Sequence, residues 1–403
     1  MQQTFALAEP VDEELADELV KEFAYVAKDV TSAEVSPDRK SVVVGIADGA
    51  DLDAVVDKVE RYLAAMLSGY RGELTKISHT TSRRSTGPFQ ENVYEELQRR
   101  RWLFDLGEGH VGLAGPALRL GQLVDAAATA RYRQAYGAEE RSFSALIGND
   151  LLARCGYLDA HPQNVNWVTH LTEDIDVIEE FRQANAQPGA PGRPALDALD
   201  LPRMGLNPAA CLPAYKTFED SALPPDGVAL SWQGRVFRHE ATNVSGLDRL
   251  SEFTVRELLF LADGDRTRQW RDRSVELIVD LAEAFDLDMT VQLATDPFFA
   301  TVAGARRFWQ QSMESKYEIR LAIGRHADGR VRTVAAGSVN VHGTFFAEQF
   351  GITTGTGELA ETACVGLGIE RWILAVFAQH GFDEAHWPEL MRTELTDDTR
   401  RSE

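Results

Sequence analysis

Between Arg235 and Glu257 the chain carries two short runs with strand-like alternation, separated by a polar loop. Residues two apart on a strand share a face, so Arg238 and Glu240 point the same way on the first run. Arg249, Phe253 and Glu257 keep one parity on the second. Paired as an antiparallel hairpin, the runs aim two arginines, two carboxylates and an aromatic ring at one surface. Guanidinium forks suit phosphate oxygens, a ring can stack on a base and a carboxylate can accept from an amine, so this surface would cradle a nucleoside triphosphate. A solvated sheet face of mixed charge has the same spacing, and the pattern alone does not separate the two.

The rest of the sequence sets limits. With 403 residues the chain is long enough for two or three domains with sizeable cores. No apolar run approaches the ~20 residues of a membrane span. The start, Met-Gln-Gln-Thr-Phe, lacks the basic region of a signal peptide, so a cytoplasmic chain is expected. Cys155, Cys211 and Cys364 are sparse and widely spaced, which fits reduced thiols in metal, catalytic or buried roles better than a disulfide framework. A net charge of −22 works against non-specific binding to nucleic acid, which depends on lysine and arginine displacing counterions.

Residues 1–75 mix helix and strand patterns. Leu15, Leu19, Phe23 and Val26 have near-helical spacing, Ser41 to Ile46 is a β-branched run, and Leu52, Val55, Val56, Val59, Leu63 and Met66 mark an amphipathic helix. Fifteen Asp and Glu against six Lys and Arg over residues 1–61 make this a small acidic α/β domain. A polar, punctuated stretch predicts a linker at 76–95, followed by a main domain at 96–395 and a polar tail at 396–403. Asn185 to Pro194 reads as a surface loop within the main domain. Val228 to Trp232 and Arg235 to Glu240 flank Gln233-Gly234, and Tyr317 to Ile323 and Val331 to Val341 flank Ala327-Asp328-Gly329; both patterns predict hairpins. Helices fit 256–264, 268–286, 301–314 and 369–380. Strands in meander order, without regular alternation with helices, predict an α+β fold built on an antiparallel sheet.

A second segment, Ala363-Cys-Val-Gly-Leu-Gly-Ile-Glu-Arg-Trp372, places glycines at 366 and 368 of a strand that runs into a helix. Glycines there permit close approach of a ligand to the backbone, and they also serve simply to pack a strand on a helix. The first helical turn holds Glu370 and Arg371. An arginine is unfavourable at a helix N-terminus, and a phosphate partner would account for it.

Together the two segments resemble motifs 2 and 3 of the class II aminoacyl-tRNA synthetases. Phe237-Arg238-His239-Glu240 followed by Arg249-x-x-x-Phe253 is similar to motif 2, and Cys364 to Arg371 to motif 3. Leu206 to Tyr215, Asp296-Pro-Phe-Phe299, Lys316-Tyr-Glu318 and Asn340-Val-His342 look like the amino acid:[carrier protein] ligases, which are truncated homologues of the zinc-dependent, archaeal-type seryl-tRNA synthetases. The resemblance covers roughly residues 100–390.

This resemblance implies a class II sheet flanked by helices and a zinc ion held by Cys211, Glu257 and Cys364, with Cys155 left as a packing residue. Three protein ligands leave zinc one open position, which an α-amino group can fill. ATP would be bound by Arg238, Glu240, Arg249, Phe253 and Arg371. Arg238 and Arg371 would be the catalytic cations, Phe253 the base platform and Glu240 the acceptor for the adenine amine. Magnesium would bridge the phosphates, with Glu361 or Glu358 as a ligand. The implied substrate is a small amino acid such as glycine or alanine. The implied acceptor is the phosphopantetheine thiol of an acidic carrier protein, docking on Arg99-Arg-Arg101 or on Arg266, Arg268, Arg271 and Arg273. The acidic N-terminal domain and the lack of sustained heptads argue against tRNA. A homodimer is expected through a motif 1 within residues 120–170, where Cys155 to Val165 resembles the family. Two alternatives remain open: tRNA aminoacylation by a seryl-tRNA synthetase-like enzyme, and a non-catalytic amino-acid sensor.

Overall fold

The structure, a computed structural model, describes residues 1–11, 13–69, 77–84, 87–186, 189, 192–241, 244–293, 316–326 and 328–396. The expected helix at 301–314, the segment Asp296 to Phe299 and most of the predicted tail lie outside the described residues.

Near the N-terminus, β1 (Gln2–Ala6), β2 (Val30–Val35) and β3 (Ser41–Ile46) form an antiparallel sheet with β3 in the middle. The β-branched run of β3 buries Val42, Val44 and Ile46 against the apolar stripes of the helices Glu13–Glu22 and Leu52–Gly69. Leu19, Phe23, Val59 and Tyr62 complete a core separate from the rest of the molecule.

The chain then supplies β4 (Ile77–Thr81), a hairpin of β5 (Leu103–Gly107) and β6 (His110–Leu113), and β7 (Glu139–Glu140). A small sheet of β8 (Leu146–Gly148), β9 (Trp167–Val168) and β10 (Met204–Leu206) follows. The long strands are β11 (Val228–Phe237), β12 (Glu252–Ala262), β13 (Met289–Leu293), β14 (Tyr317–Arg325), β15 (Val331–Gly343) and β16 (Glu361–Gly368). Eight strands make one sheet in the order β4-β13-β14-β15-β16-β12-β11-β7. It is antiparallel except where β7 lies parallel to β11. The molecule is thus α+β, with an antiparallel sheet flanked by helices. No described helix is long and apolar enough to cross a membrane.

Side-chain parity gives the sheet two different faces. Leu258 and Phe260 of β12 and Ala363, Val365 and Leu367 of β16 meet the helices Gly115–Tyr136, Gly264–Ala284 and Ile369–His380 in the main core. The opposite parity, including Glu257 and Cys364, faces a second layer built from loops and short helices.

Three expectations are corrected here. Gln233-Gly234 is not a turn: β11 is one strand of 10 residues, laddered to β12 from Val228↔Leu261 to Phe237↔Glu252. Burial of Leu230, Trp232 and Val236 along that ladder overrides the local turn signal. The predicted helix at 256–264 is the second half of β12. Because Leu258 to Ala262 are buried on both faces, the strand reads as an unbroken apolar run with no period of two. Part of the predicted linker, Ile77–Thr81, is the edge strand β4, paired with β13. The predicted hairpin around 327–329 is present as β14 and β15.

Candidate active site

Register brings the three predicted metal ligands together. On β12 and β16, Glu257 pairs with Gly366 and Leu259 with Cys364. Directly paired residues share a face, so Glu257 and Cys364 occupy neighbouring rows above the sheet. Cys211 arrives from the loop after β10. Asn207 accepts the Phe237 N–H at 3.0 Å, Ala210 packs on Val236 and Val255, and Cys211 then starts the short helix Leu212–Lys216. One ligand atom from each of Cys211, Glu257 and Cys364 lies within 4.8 Å of the other two, and all three residues are buried. At Gly366 a Cβ would come within 3.3 Å of Glu257 Oε2, so a bare backbone at this point gives the carboxylate its room.

Without a cation such a cluster tolerates little negative charge. A hydrogen bond from Cys364 holds the Cys211 thiol below its usual range. The same bond, together with burial, pushes Cys364 well up. Burial and the charge on Cys211 raise Glu257. A divalent cation would reverse this, since thiolates and a carboxylate bind it in their deprotonated forms. The Cys-Glu-Cys donor set suits zinc. Around Cys364, Asn340 Nδ2 donates to Sγ at 3.7 Å and His342 Nε2 lies 3.7 Å away. His342 Nδ1 meets Thr362 Oγ1 at 3.2 Å and the Tyr215 hydroxyl at 3.3 Å. Burial lowers His342 to about 4, so it is a neutral ring at physiological pH. Cys155 borders the same cavity, and burial raises its thiol.

The same cavity, about 440 Å³ in volume, is also lined by four of the predicted nucleotide residues, Arg238, Glu240, Phe253 and Arg371. Arg238 and Glu240 lie just past the end of β11. Arg238 Nε donates to the Pro208 carbonyl at 3.0 Å, and its guanidinium sits 5.4 Å from the Phe253 ring centre. Arg249 faces Glu240 at 3.6 Å. Arg371 donates to the carbonyls of Asp248 at 2.7 Å and Ala335 at 2.6 Å, which answers in part for an arginine at a helix start. Glu370 turns the other way and accepts the Thr254 N–H at 2.9 Å, tying that helix to β12. Burial lowers the pKa of Arg371, and the nearby charges of Arg238 and Arg249 lower it further. Three guanidiniums that repel one another become favourable once an anion lies among them.

Glu361 is a correction. It pairs with Ala262 on β16 and shares the parity of Ala363 and Val365, so it faces the helices, 3.7 Å from Arg268 Nη1. It therefore stands on the wrong side of the sheet to hold phosphate-bound magnesium. Glu358 is exposed in the turn before β16. Among residues given no role from sequence, Glu318, Ser338, Asn340 and His342 border the cavity. The alternation of Ser338, Asn340 and His342 along β15 was the available signal.

No protein-family model matches the chain. Its curated relatives are type-2 serine–tRNA ligases. It is 29% identical over 312 residues to that of Methanothermobacter thermautotrophicus, covering 75% of this chain and 60% of the relative. It is 27% identical over 357 residues to that of Methanopyrus kandleri, covering 83% and 67%. The chain thus spans about 60% of the length of the first of these. Among solved structures it superposes on M. kandleri SerRS in complex with A. aeolicus tRNASec, with a TM-score of 0.71 and 24% identity over 98% of this chain and 77% of the other. It also superposes on the cytoplasmic serine–tRNA ligase of Naegleria fowleri in complex with AMP, with a TM-score of 0.61 and 9% identity over 86% and 72%. Both likenesses show the fold.

These relatives overturn two expectations. The carrier-protein acceptor does not stand, because the matching proteins are tRNA ligases. Most of the arginines offered for carrier docking also have ion-pair partners: Arg99 and Arg100 pair with Glu96, Arg266 with Asp226, Arg268 with Asp265, Arg271 with Asp272 and Arg273 with Glu276. The case against tRNA falls too. It rested on the acidic N-terminal domain and the missing heptads, yet the matching proteins are tRNA ligases and the superposed M. kandleri SerRS is in complex with tRNASec. By sequence this chain is a homologue of the type-2 serine–tRNA ligases, and by structure it has the class II aminoacyl-tRNA synthetase fold.

Proposed function

We propose that the chain activates serine with ATP to give seryl-adenylate and pyrophosphate, and passes the seryl group to tRNA. The observation that carries this is a single cavity bordered both by the Cys211, Glu257 and Cys364 cluster and by Arg238 and Arg371, with Arg249 near enough to act on Arg371. The choice of serine and of tRNA rests on the names of the relatives.

Cys211, Glu257 and Cys364 would hold zinc, which when bound offers a Lewis-acid position for the amino group of the substrate as a neutral amine. ATP enters as its magnesium complex. Phe253 supplies the face on which adenine stacks, and Glu240 accepts from its exocyclic amine. Arg238, next to Phe253, neutralises charge at the α-phosphoryl group as a serine carboxylate oxygen attacks phosphorus and the bond to the pyrophosphate oxygen breaks. Arg249 and Arg371 hold the outer phosphates. Their fixed positions, not any covalent chemistry, supply the catalysis.

Pyrophosphate exchange into ATP with serine, glycine, alanine, threonine and cysteine tests the first step in zinc-replete protein, and acylation of bulk tRNA with labelled serine tests the second. Serine-dependent exchange with tRNA charging is expected. Exchange with none of these amino acids would refute activation, and exchange without tRNA charging would refute the acceptor.

A further inference from the structure

Tyr25 links the N-terminal unit to the nucleotide pocket. The 3-10 turn Phe23–Tyr25 buries Phe23 in its own core and turns Tyr25 outward. The Tyr25 hydroxyl donates to the His239 carbonyl at 2.5 Å, across 214 positions of sequence, and the two rings meet edge to face at 6.3 Å between centres. The preceding peptide unit is held as well, because His239 N–H donates to the Asn164 carbonyl at 3.0 Å. His239 sits between Arg238, which lies over Phe253, and Glu240, which faces Arg249. The regular ladder of β11 ends at Phe237, with Arg238 N–H donating on to the Ser251 carbonyl at 2.9 Å, so from His239 onward the backbone is placed by such contacts. Burial, followed by the charge on Glu240, raises the Tyr25 phenol above its usual range; it remains a donor at neutral pH.

We infer that Tyr25 is a positioning residue for ATP: by pinning the His239 carbonyl it fixes Arg238 and Glu240 at the nucleotide end of the cavity, making nucleotide affinity depend on how the N-terminal unit is seated. The inference rests on the reading of that end as the ATP site. Nothing in it requires Tyr25 to touch substrate. A partner that shifts the N-terminal unit would thereby loosen or tighten ATP binding.

Tyr25→Phe removes the hydroxyl and keeps the ring. In the full-length chain it should raise the calorimetric Kd for ATP and the KM for ATP in serine-dependent exchange by about three- to tenfold, the range of one lost hydrogen bond. The KM for serine and the thermal midpoint should not move. An unchanged Kd for ATP would overturn the inference and leave the ATP site standing. Equal rises in both KM values, or a drop in the midpoint, would mean a general structural role and would also overturn it. If the wild-type chain fails to bind ATP at all, the reading of the site falls, and the inference with it.

Discussion

Arg256 alternates with Glu257 on β12 and points through the sheet, away from the cavity. It is 3% exposed. Its Nε and Nη2 reach the two oxygens of Asp125 on the helix Gly115–Tyr136, both at 2.7 Å, and Nη1 reaches Glu140 Oε1 of β7 at 2.6 Å and Ser231 Oγ at 3.3 Å. Arg256→Met keeps the apolar stem and deletes the cation. The two carboxylates then fare differently, because the Asp125 side chain is 17% exposed and that of Glu140 is 40% exposed. Glu140 can hydrate. Asp125 is left as a largely buried charge without a partner, the case that costs about 3–5 kcal/mol, against about 0–1 kcal/mol for an exposed pair. With one carboxylate stranded, a loss near the lower figure, about 3 kcal/mol, is expected, a sizeable part of a total stability of about 5–15 kcal/mol. Urea unfolding followed by tryptophan fluorescence reads it, and Arg256→Met/Asp125→Leu should recover most of it because no charge remains buried. A loss below about 1 kcal/mol for Arg256→Met, or a double variant less stable than the single, would refute the reasoning.

Phe253→Leu should raise the KM for ATP in exchange by roughly 5- to 150-fold, the worth of one base-stacking contact, with the KM for serine unchanged; an unmoved KM for ATP would remove Phe253 as the base platform. Gly366→Ala puts a Cβ 3.3 Å from Glu257 Oε2 and 3.4 Å from Val255 Cγ1, so zinc affinity by competitive chelation should fall about 10- to 100-fold, and wild-type affinity would show that Glu257 does not need that space. His380 is buried, with Nε2 3.0 Å from the Phe285 carbonyl, and burial lowers its pKa. Above about pH 6.5 both folded and unfolded chains hold it neutral. As pH falls below that value the unfolded chain takes the proton first, so stability is lost at up to about 1.4 kcal/mol per pH unit. His380→Gln should flatten the pH dependence of urea unfolding between about pH 6.5 and 5, and an equal slope in the variant would contradict this sign.

What the sequence disclosed followed from how many faces of each element are buried. β14 and β15 end in a solvated turn and were legible as a hairpin. The second half of β12 lies between the helices on one side and the Cys211 layer on the other, so its period was erased and it read as a helix. The proposed ligands Cys211, Glu257 and Cys364 stand 46 (257 − 211) and 107 (364 − 257) residues apart, and no local spacing could have joined them. Resemblance nominated them and the strand register brought them within reach of one another. Glu361 could have been rejected from sequence, because if Cys364 faces the cavity, a residue three positions earlier on the same strand faces away. Tyr25 left no such trace, since its partner is a backbone carbonyl whose position depends on how two separate cores are seated.

The geometry of β12 would let the proposed nucleotide and metal sites share one cavity. Phe253 and Glu257 lie four positions apart on one face, about 13 Å at about 3.3 Å per residue. That is the order of length over which a base, ribose, phosphate and amino acid are laid out in an extended adenylate. On the proposed function the strand acts as a ruler, with the proposed base platform at one end and the proposed carboxylate ligand at the other. Val255, between them, packs with Ala210 in the loop that delivers Cys211. On the reverse face Arg256 fixes the same stretch of strand to the helix Gly115–Tyr136. A one-residue slip of β12 would turn Phe253 and Glu257 into the helix core together and bring Arg256 into the cavity. The ladders to β11 and β16, and the Arg256–Asp125 bridge, thus act against a single error that would carry both Phe253 and Glu257 out of the cavity.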